Sequence, residues 1–282
     1  MVYPWRTRPG ELLALVCAGV DDPRPAPTTV IIVAHPDDEV VGAGARLPRL
    51  RQAVFVHVTD GAPYDLRDAT ANGFSTRHEY ALARRQELIA ALALAGIAPQ
   101  QAHELGYVDQ EATLYLADLS HRIATLLGDL QPTVVLTLPY EGGHPDHDAT
   151  AFAVHAACRL LEQHRVLPPT LIEMTSYHNG SQGIVGHEFL PGTGDQVTTL
   201  VLSEAECDFK RRLLDCFPTQ QHTLCWFSMD IECFRLAPRY DFTRPPHAGQ
   251  LFYECFPWGM TGPRFRSLAH QAMQTLRLTG AL

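Results

Sequence analysis

The run Val30-Ile31-Ile32-Val33 is apolar without alternation and passes directly into His35-Pro36-Asp37-Asp38-Glu39. A strand with no polar face must be covered on both sides, which is the condition of a parallel strand inside a layered α/β fold. A second such run, Val134-Val135-Leu136-Thr137-Leu138, leads into His144-Pro145-Asp146-His147-Asp148 about a hundred residues later. Open parallel sheets bind ligands at the carboxyl ends of their strands, so two strand-end clusters of His and Asp point to one shared site. Asp and His after a strand also serve as turn and cap residues. The pairing of the two clusters favours chemistry over that bland role.

The pattern around these runs supports the same fold class. Strands are expected at 29–34, 53–58, 102–106, 133–138 and 170–175, alternating with helices at 42–51, 76–95, 112–129 and 148–164. Such alternation argues a mostly parallel, doubly wound sheet. An amphipathic helix over 4–19 and the proline-rich connector Asp21–Pro27 precede it. Beyond residue 176 the pattern loosens. Tyr177–Gly183 and Leu190–Gly194 are turn-rich, a strand is expected near 197–202, and Ser203-Glu204-Ala205-Glu206 has the form of a capping box opening a helix. The rest, with Trp226, Tyr240, Phe252, Tyr253, Phe256 and Trp258 among prolines, reads as an irregular C-terminal segment that packs on the core or shapes the cleft. The expectation is a single domain, with 1–27 as N-terminal helix and linker, 28–176 as core and 177–282 as C-terminal part.

A catalytic zinc takes three protein ligands and keeps a fourth position open. His35, Asp38 and His147 would supply them. Asp37, in an irregular loop, would face the water as general base, and His144 would stabilise an oxyanion or protonate the departing amine. Asp146 and Glu39 are expected to support the ligands from behind.

The two motifs resemble the LmbE-like, or PIG-L, family of metal-dependent N-acetyl-sugar deacetylases. Thr59-Asp60-Gly61, Arg84-Arg85-Gln86-Glu87 and Leu105-Gly106-Tyr107-Val108-Asp109 are also similar to that family, and the resemblance runs over about residues 28–235. It implies a Rossmann-like three-layer αβα fold, Zn2+ (Fe2+ or another divalent ion in its place) on His35, Asp38 and His147, and Asp37 as acid/base of amide hydrolysis on an N-acetylglucosamine-type sugar or conjugate. Relatives acting in small-thiol pathways carry a tyrosine where this chain has Gly142. Tyr140 or Glu141 could serve instead, or the segment 140–143 is only a turn. Arg84, Tyr140 and Asp60 are the candidate substrate contacts, Asp60 also as a turn cap or metal support. His57 reads as a satisfied core histidine. Gly42 and Gly44 would let the first helix approach the metal loop.

The balance of 31 acidic against 22 basic residues argues against nucleic acid or an anionic membrane as partner. No apolar run reaches the about 20 residues of a membrane span, and the start lacks a signal-peptide core, so a cytoplasmic enzyme with a small-molecule substrate is expected. A homo-oligomer is compatible with all of this. Seven cysteines without a C-x-x-C pair read as buried free thiols, with no structural metal at Cys207, Cys216 and Cys225. Two other classes stay open: a sugar-binding protein that keeps the fold without turnover, and a metal phosphoesterase, which needs a second metal or a basic clamp.

Overall fold

Residues 30–33 alternate between two buried layers, and this decides the architecture. Val30 and Ile32 face one apolar cluster, while Ile31 and Val33 face another; none is more than 2% exposed. Each such side chain contributes about 1.5–3 kcal/mol by leaving water. The computed structural model describes residues 7–181, 183–191 and 196–282.

In chain order the helices and strands are α1 (Pro9–Cys17), β1 (Thr29–Val33), α2 (Asp38–Ala43), β2 (Val54–Thr59), α3 (Arg67–Ala71), α4 (Arg77–Leu94), β3 (Ala102–Tyr107), α5 (Leu116–Leu130), β4 (Val134–Thr137) and α6 (Pro145–Gln163). The chain continues through β5 (Thr170–Met174), β6 (Tyr177–Gly180), β7 (Gly183–Gly186), β8 (Thr198–Val201), α7 (Glu204–Leu214), α8 (Gln221–Leu224), β9 (Ile231–Leu236) and α9 (Gly262–Leu276). A seven-stranded sheet has the order β3-β2-β1-β4-β5-β9-β8. Its first five strands are parallel, and β9 and β8 close one edge antiparallel. Helices α5, α6 and α9 bury against one face; α1, α2, α4 and α7 bury against the other. None of the described helices is long and apolar enough to cross a membrane.

Several expectations are corrected. The helix expected over 42–51 is α2, which begins at Asp38 and gives way to a 3-10 turn at Gly44–Arg46. Asp37 and Asp38 are therefore a helix cap and a first helical residue rather than two members of an irregular loop. α6 starts at Pro145, not 148, because His144 accepts a hydrogen bond from the Asp146 amide as N-cap and proline suits the first helical position. α1 begins at Pro9; residues 4–6 of the helix expected there lie outside the described residues, as do Gln182 and residues 192–194 of the turn-rich stretches. The turn-rich stretch after residue 176 supplies the β6–β7 hairpin, while the segment carrying Tyr240, Phe252, Tyr253, Phe256 and Trp258, between β9 and α9, is irregular as expected apart from a 3-10 turn at Phe252–Cys255. The capping box at Ser203 is present, with the side chains and amides of Ser203 and Glu206 bonded reciprocally. A Cβ on Gly42 would lie 2.7 Å from Met174 and one on Gly44 3.1 Å from Lys210, so these glycines admit β5 and α7, not the metal loop. All seven cysteines are free, but Cys225 and Cys255 are exposed.

His187, at the end of the hairpin, is buried with neither ring nitrogen partnered. Burial, with help from the charge of Lys210, pushes its imidazole down to about 4. Between about pH 4 and the ordinary histidine value near 6.5, the unfolded chain binds a proton that the folded chain refuses, so stability falls as the pH drops through that window. His187→Phe is expected to recover on the order of 2–3 kcal/mol at pH 4 and little at pH 8. Denaturant unfolding of both proteins at the two pH values checks this.

Candidate metal centre and active-site cleft

Strands β1 and β4 lie side by side, but the helices that follow them turn to opposite faces of the sheet, α2 to one and α6 to the other. A crevice must open between them, at the switch point where such sheets bind ligands. His35, Asp37 and Asp38 leave β1 into it, and His144 and His147 leave β4.

His35 Nδ1 and His147 Nε2 stand 3.2 Å apart. Asp38 places Oδ1 3.1 Å from His147 Nε2 and Oδ2 3.5 Å from His35 Nδ1. Partners behind each ring assign the tautomers. His35 Nε2 faces Asp109 Oδ1 at 3.1 Å and Asp146 Oδ2 at 3.4 Å, so Nε2 carries the proton and Nδ1 turns a lone pair inward. His147 Nδ1 lies 3.0 Å from Ser176 Oγ, and a proton on Nδ1 given to that oxygen leaves Nε2 as the acceptor. Three acceptor groups, with both oxygens of Asp38 taking part, thus converge, buried, with contacts of 3.1–3.5 Å. Ligands about 2.0–2.2 Å from a tetrahedral ion sit about 3.3–3.6 Å from one another, so this donor set fits a divalent cation. Burial alone would depress His35, yet the charge of Asp109 and hydrogen bonds with Asp109, Asp146 and Asp38 hold it well above its usual value. The cluster demands positive charge at this point, from a proton or from a metal. The buried donors also allow two further groupings, His35 with His144 and His147, and His35 with Asp109, His144 and Asp146; His35 is common to all, so among the described residues they mark one locus.

Asp37 sits at φ 136°, a region that costs a non-glycine residue about 1–3 kcal/mol. Arg84 holds it there, donating Nη2 to Pro36 O at 2.8 Å and to Asp37 Oδ2 at 3.0 Å, and Nη1 to Gly61 O at 2.9 Å. A Cβ on Gly61 would come within 3.0 Å of that guanidinium, which is why glycine stands there. From below, Glu39 Oε2 accepts from the Asp37 amide at 3.4 Å and from His57 Nε2 at 3.1 Å. Burial pushes the Asp37 carboxyl up to about 8 against the pull of Arg84, while burial and the neighbouring His35 keep His144 well below the ordinary histidine value. With Nδ1 of His144 accepting from the Asp146 amide at 3.2 Å, its Nε2–H is the free donor.

The remaining candidates fall as follows. Asp146, fully buried, accepts from the amides of Gln110 and Ala112 and so ties the β3 loop to the centre. Asp60 pairs with Arg77 and caps Ala62, outside the cleft lining. Tyr140 is corrected as a substrate contact: its ring packs among Tyr240, Phe242 and Phe265 and its hydroxyl donates to Arg244 O at 2.9 Å. Glu141 is likewise buried, accepting from the Leu190 amide. A side chain at position 142 would run into Leu251, 2.7 Å from the Cβ, so the 140–143 segment is a tight turn held by Asp148.

Asp109, Ser176 and Tyr177 were not anticipated as site residues. Each lies just past the carboxyl end of a parallel strand, the signal that would have found them. Together with Trp226, Phe252, Phe256 and Trp258 they line a cleft of about 370 Å³ above the cluster.

The model of the PIG-L family, described as GlcNAc-PI de-N-acetylase, matches residues 30–158. Those residues are a PIG-L family domain. The matched stretch holds His35 through Glu39, Arg84, Asp109, His144, Asp146 and His147, and ends well short of the 235 expected. A probable N-acetyl-alpha-D-glucosaminyl L-malate deacetylase 2 of Bacillus subtilis (strain 168) is 34% identical over 134 residues, 44% of this chain and 58% of that protein. The chain therefore spans little more than half the length of that curated relative. Three solved structures share the fold. They are an A40926 pseudoaglycone deacetylase (TM-score 0.55, 21% identity, 74% of this chain and 96% of that one) and a deacetylase–teicoplanin complex (0.56, 19%, 76% and 99%). The third is the N,N'-diacetylchitobiose deacetylase of Pyrococcus horikoshii (0.50, 19%, 84% and 95%).

Ser176 lies outside the PIG-L match yet holds the far edge of His147, with Oγ 3.0 Å from Nδ1. Ser176→Ala is expected to weaken divalent-metal affinity by about 10–100-fold with the fold intact. His147→Ala abolishes binding, and competition with a chromophoric chelator measures both.

Proposed function

We propose that this chain is a divalent-metal-dependent amidohydrolase that removes the N-acetyl group from an N-acetylglucosamine-type sugar or conjugate. The observation that carries the reading is the meeting of three buried acceptors, His35 Nδ1, His147 Nε2 and the Asp38 carboxylate, beside a carboxyl raised toward neutrality at Asp37. The PIG-L match and the relatives' names support amide hydrolysis on an acetylated sugar. His35, Asp38 and His147 would hold the ion, Zn2+ by preference, with Fe2+ the alternative that two imidazoles and one carboxylate equally suit. A divalent ion there supplies Lewis-acid polarisation of the carbonyl and a water of lowered pKa.

The chain's own residues do the rest. Asp37 takes a proton from the attacking water as its oxygen adds to the acetyl carbon, and returns that proton to the amine nitrogen as the C–N bond breaks. The products are acetate and the free amine. A carboxyl poised near neutrality is matched to both transfers. The neutral His144, donating from Nε2, stabilises the oxyanion by a hydrogen bond, so the structure favours that role over delivery of a proton to the amine. Arg84 keeps Asp37 from turning out of its strained backbone position.

Asp37→Ala is expected to retain one divalent ion per chain and to lose acetate release by about 10²–10⁴-fold. Near-normal turnover in that variant would rule out the assigned mechanism. Metal analysis beside an acetate assay on N-acetylglucosamine conjugates checks both halves.

A further inference from the structure

The cleft is lined by aromatic rings that run without a break from one side of the centre to the other. Tyr177 packs on His147 at 5.3 Å, Phe252 on Tyr177 at 5.4 Å and Phe256 on Phe252 at 5.2 Å. Trp258 stacks on Phe256 at 4.4 Å with 11° between the planes, and lies against His144 at 4.8 Å. All but the two histidines lie beyond residue 158, outside the family match. Phe252, Phe256 and Trp258 are only partly buried and line the cleft.

The charged lining residues on the other segments are as restrictive. Among the described residues two guanidiniums line the cleft: Arg84, buried and engaged by Asp37, Pro36 O and Gly61 O, and Arg67, largely exposed, whose Nε faces Asp65 at 3.4 Å. The single lysine of the chain, Lys210, is buried against Glu232. Asp68, half-buried on α3, lines the cleft and makes no ion pair among the described residues. Recognition of a carboxylate calls for a free cation, above all an arginine fork. An unpaired carboxylate in the same cleft repels one.

We infer that this cleft selects N-acetylated amino sugars whose substituent is a planar apolar ring, neutral or cationic, and excludes those bearing a carboxylate on that substituent. The inference rests on the deacetylase reading and separates this chain from a relative named for an L-malate conjugate. The substituent stacks on Phe256 and Trp258, with Asp68 supplying the negative charge that a cationic group would meet.

Three matched ligands test it at pH 8: phenyl N-acetylglucosaminide and its 4-aminomethyl and 4-carboxy derivatives. Acetate release by Zn2+-loaded protein is expected to give the carboxy compound a kcat/KM about tenfold or more below the other two. Quenching of Trp226 and Trp258 fluorescence in the ion-free protein should rank their affinities the same way. Asp68→Asn should narrow the ratio between the aminomethyl and carboxy compounds, and Phe256→Ala should raise KM for all three. A carboxy compound bound and turned over as well as the phenyl one, or a ratio unmoved by Asp68→Asn, overturns the inference. Selective binding without acetate release from any of the three supports the selectivity of the wall and overturns the deacetylase reading instead.

Discussion

Three buried acceptors that face one another at 3.1–3.5 Å cannot coexist without a positive charge between them, and the rest of the molecule is arranged around that fact. Lone pairs on His35, His147 and Asp38 repel in a place that water does not screen. The fold tolerates this because the supporting bonds act from outside the cluster. Asp109 and Asp146 hold the far edge of His35, Ser176 holds that of His147, and the amides of Ala34 and His35 hold Asp38. Each support lies at the end of a different strand or at the start of a helix. The sheet is therefore the instrument that keeps the acceptors at a cation's distance.

The same logic separates two carboxyls that are neighbours in sequence. Asp38, at the first position of α2, points at the imidazoles of His147 and His35, and its interactions with them hold it well below the usual carboxylate range in spite of burial. Asp37, one residue earlier with a backbone twisted to φ 136°, points at Arg84 and is pushed up to about 8. Environments that drive two like groups apart are the usual basis for a division of labour between ligand and base. The strain at Asp37 is held by Arg84 from α4 and by Glu39, itself braced on His57 from β2.

A good part of this was legible in residues 29–39 and 134–148. Unbroken apolar runs specify parallel strands, and the polar clusters behind them specify a site, because both depend on short-range pattern. The expected helix at 42–51 failed because Asp38, in the polar cluster behind β1, is itself the first helical residue, and no periodicity marks so short a helix. Tyr140 looked available for substrate because it adjoins the His144 motif. Its neighbours in space are Tyr240, Phe242 and Phe265, a hundred or more residues away, and they turn it into the core.

From its sequence alone, this chain determined a parallel α/β sheet and the set of metal-competent residues, since strand burial and ligand chemistry are carried by consecutive side chains. Tertiary structure decided the tautomers, the roles of Asp109, Ser176 and Tyr177, and the aromatic wall from 252 to 258. Those depend on which strand ends meet at the β1–β4 crevice and on how the C-terminal third closes over it. Contacts between residues so far apart in the chain leave no local pattern to read.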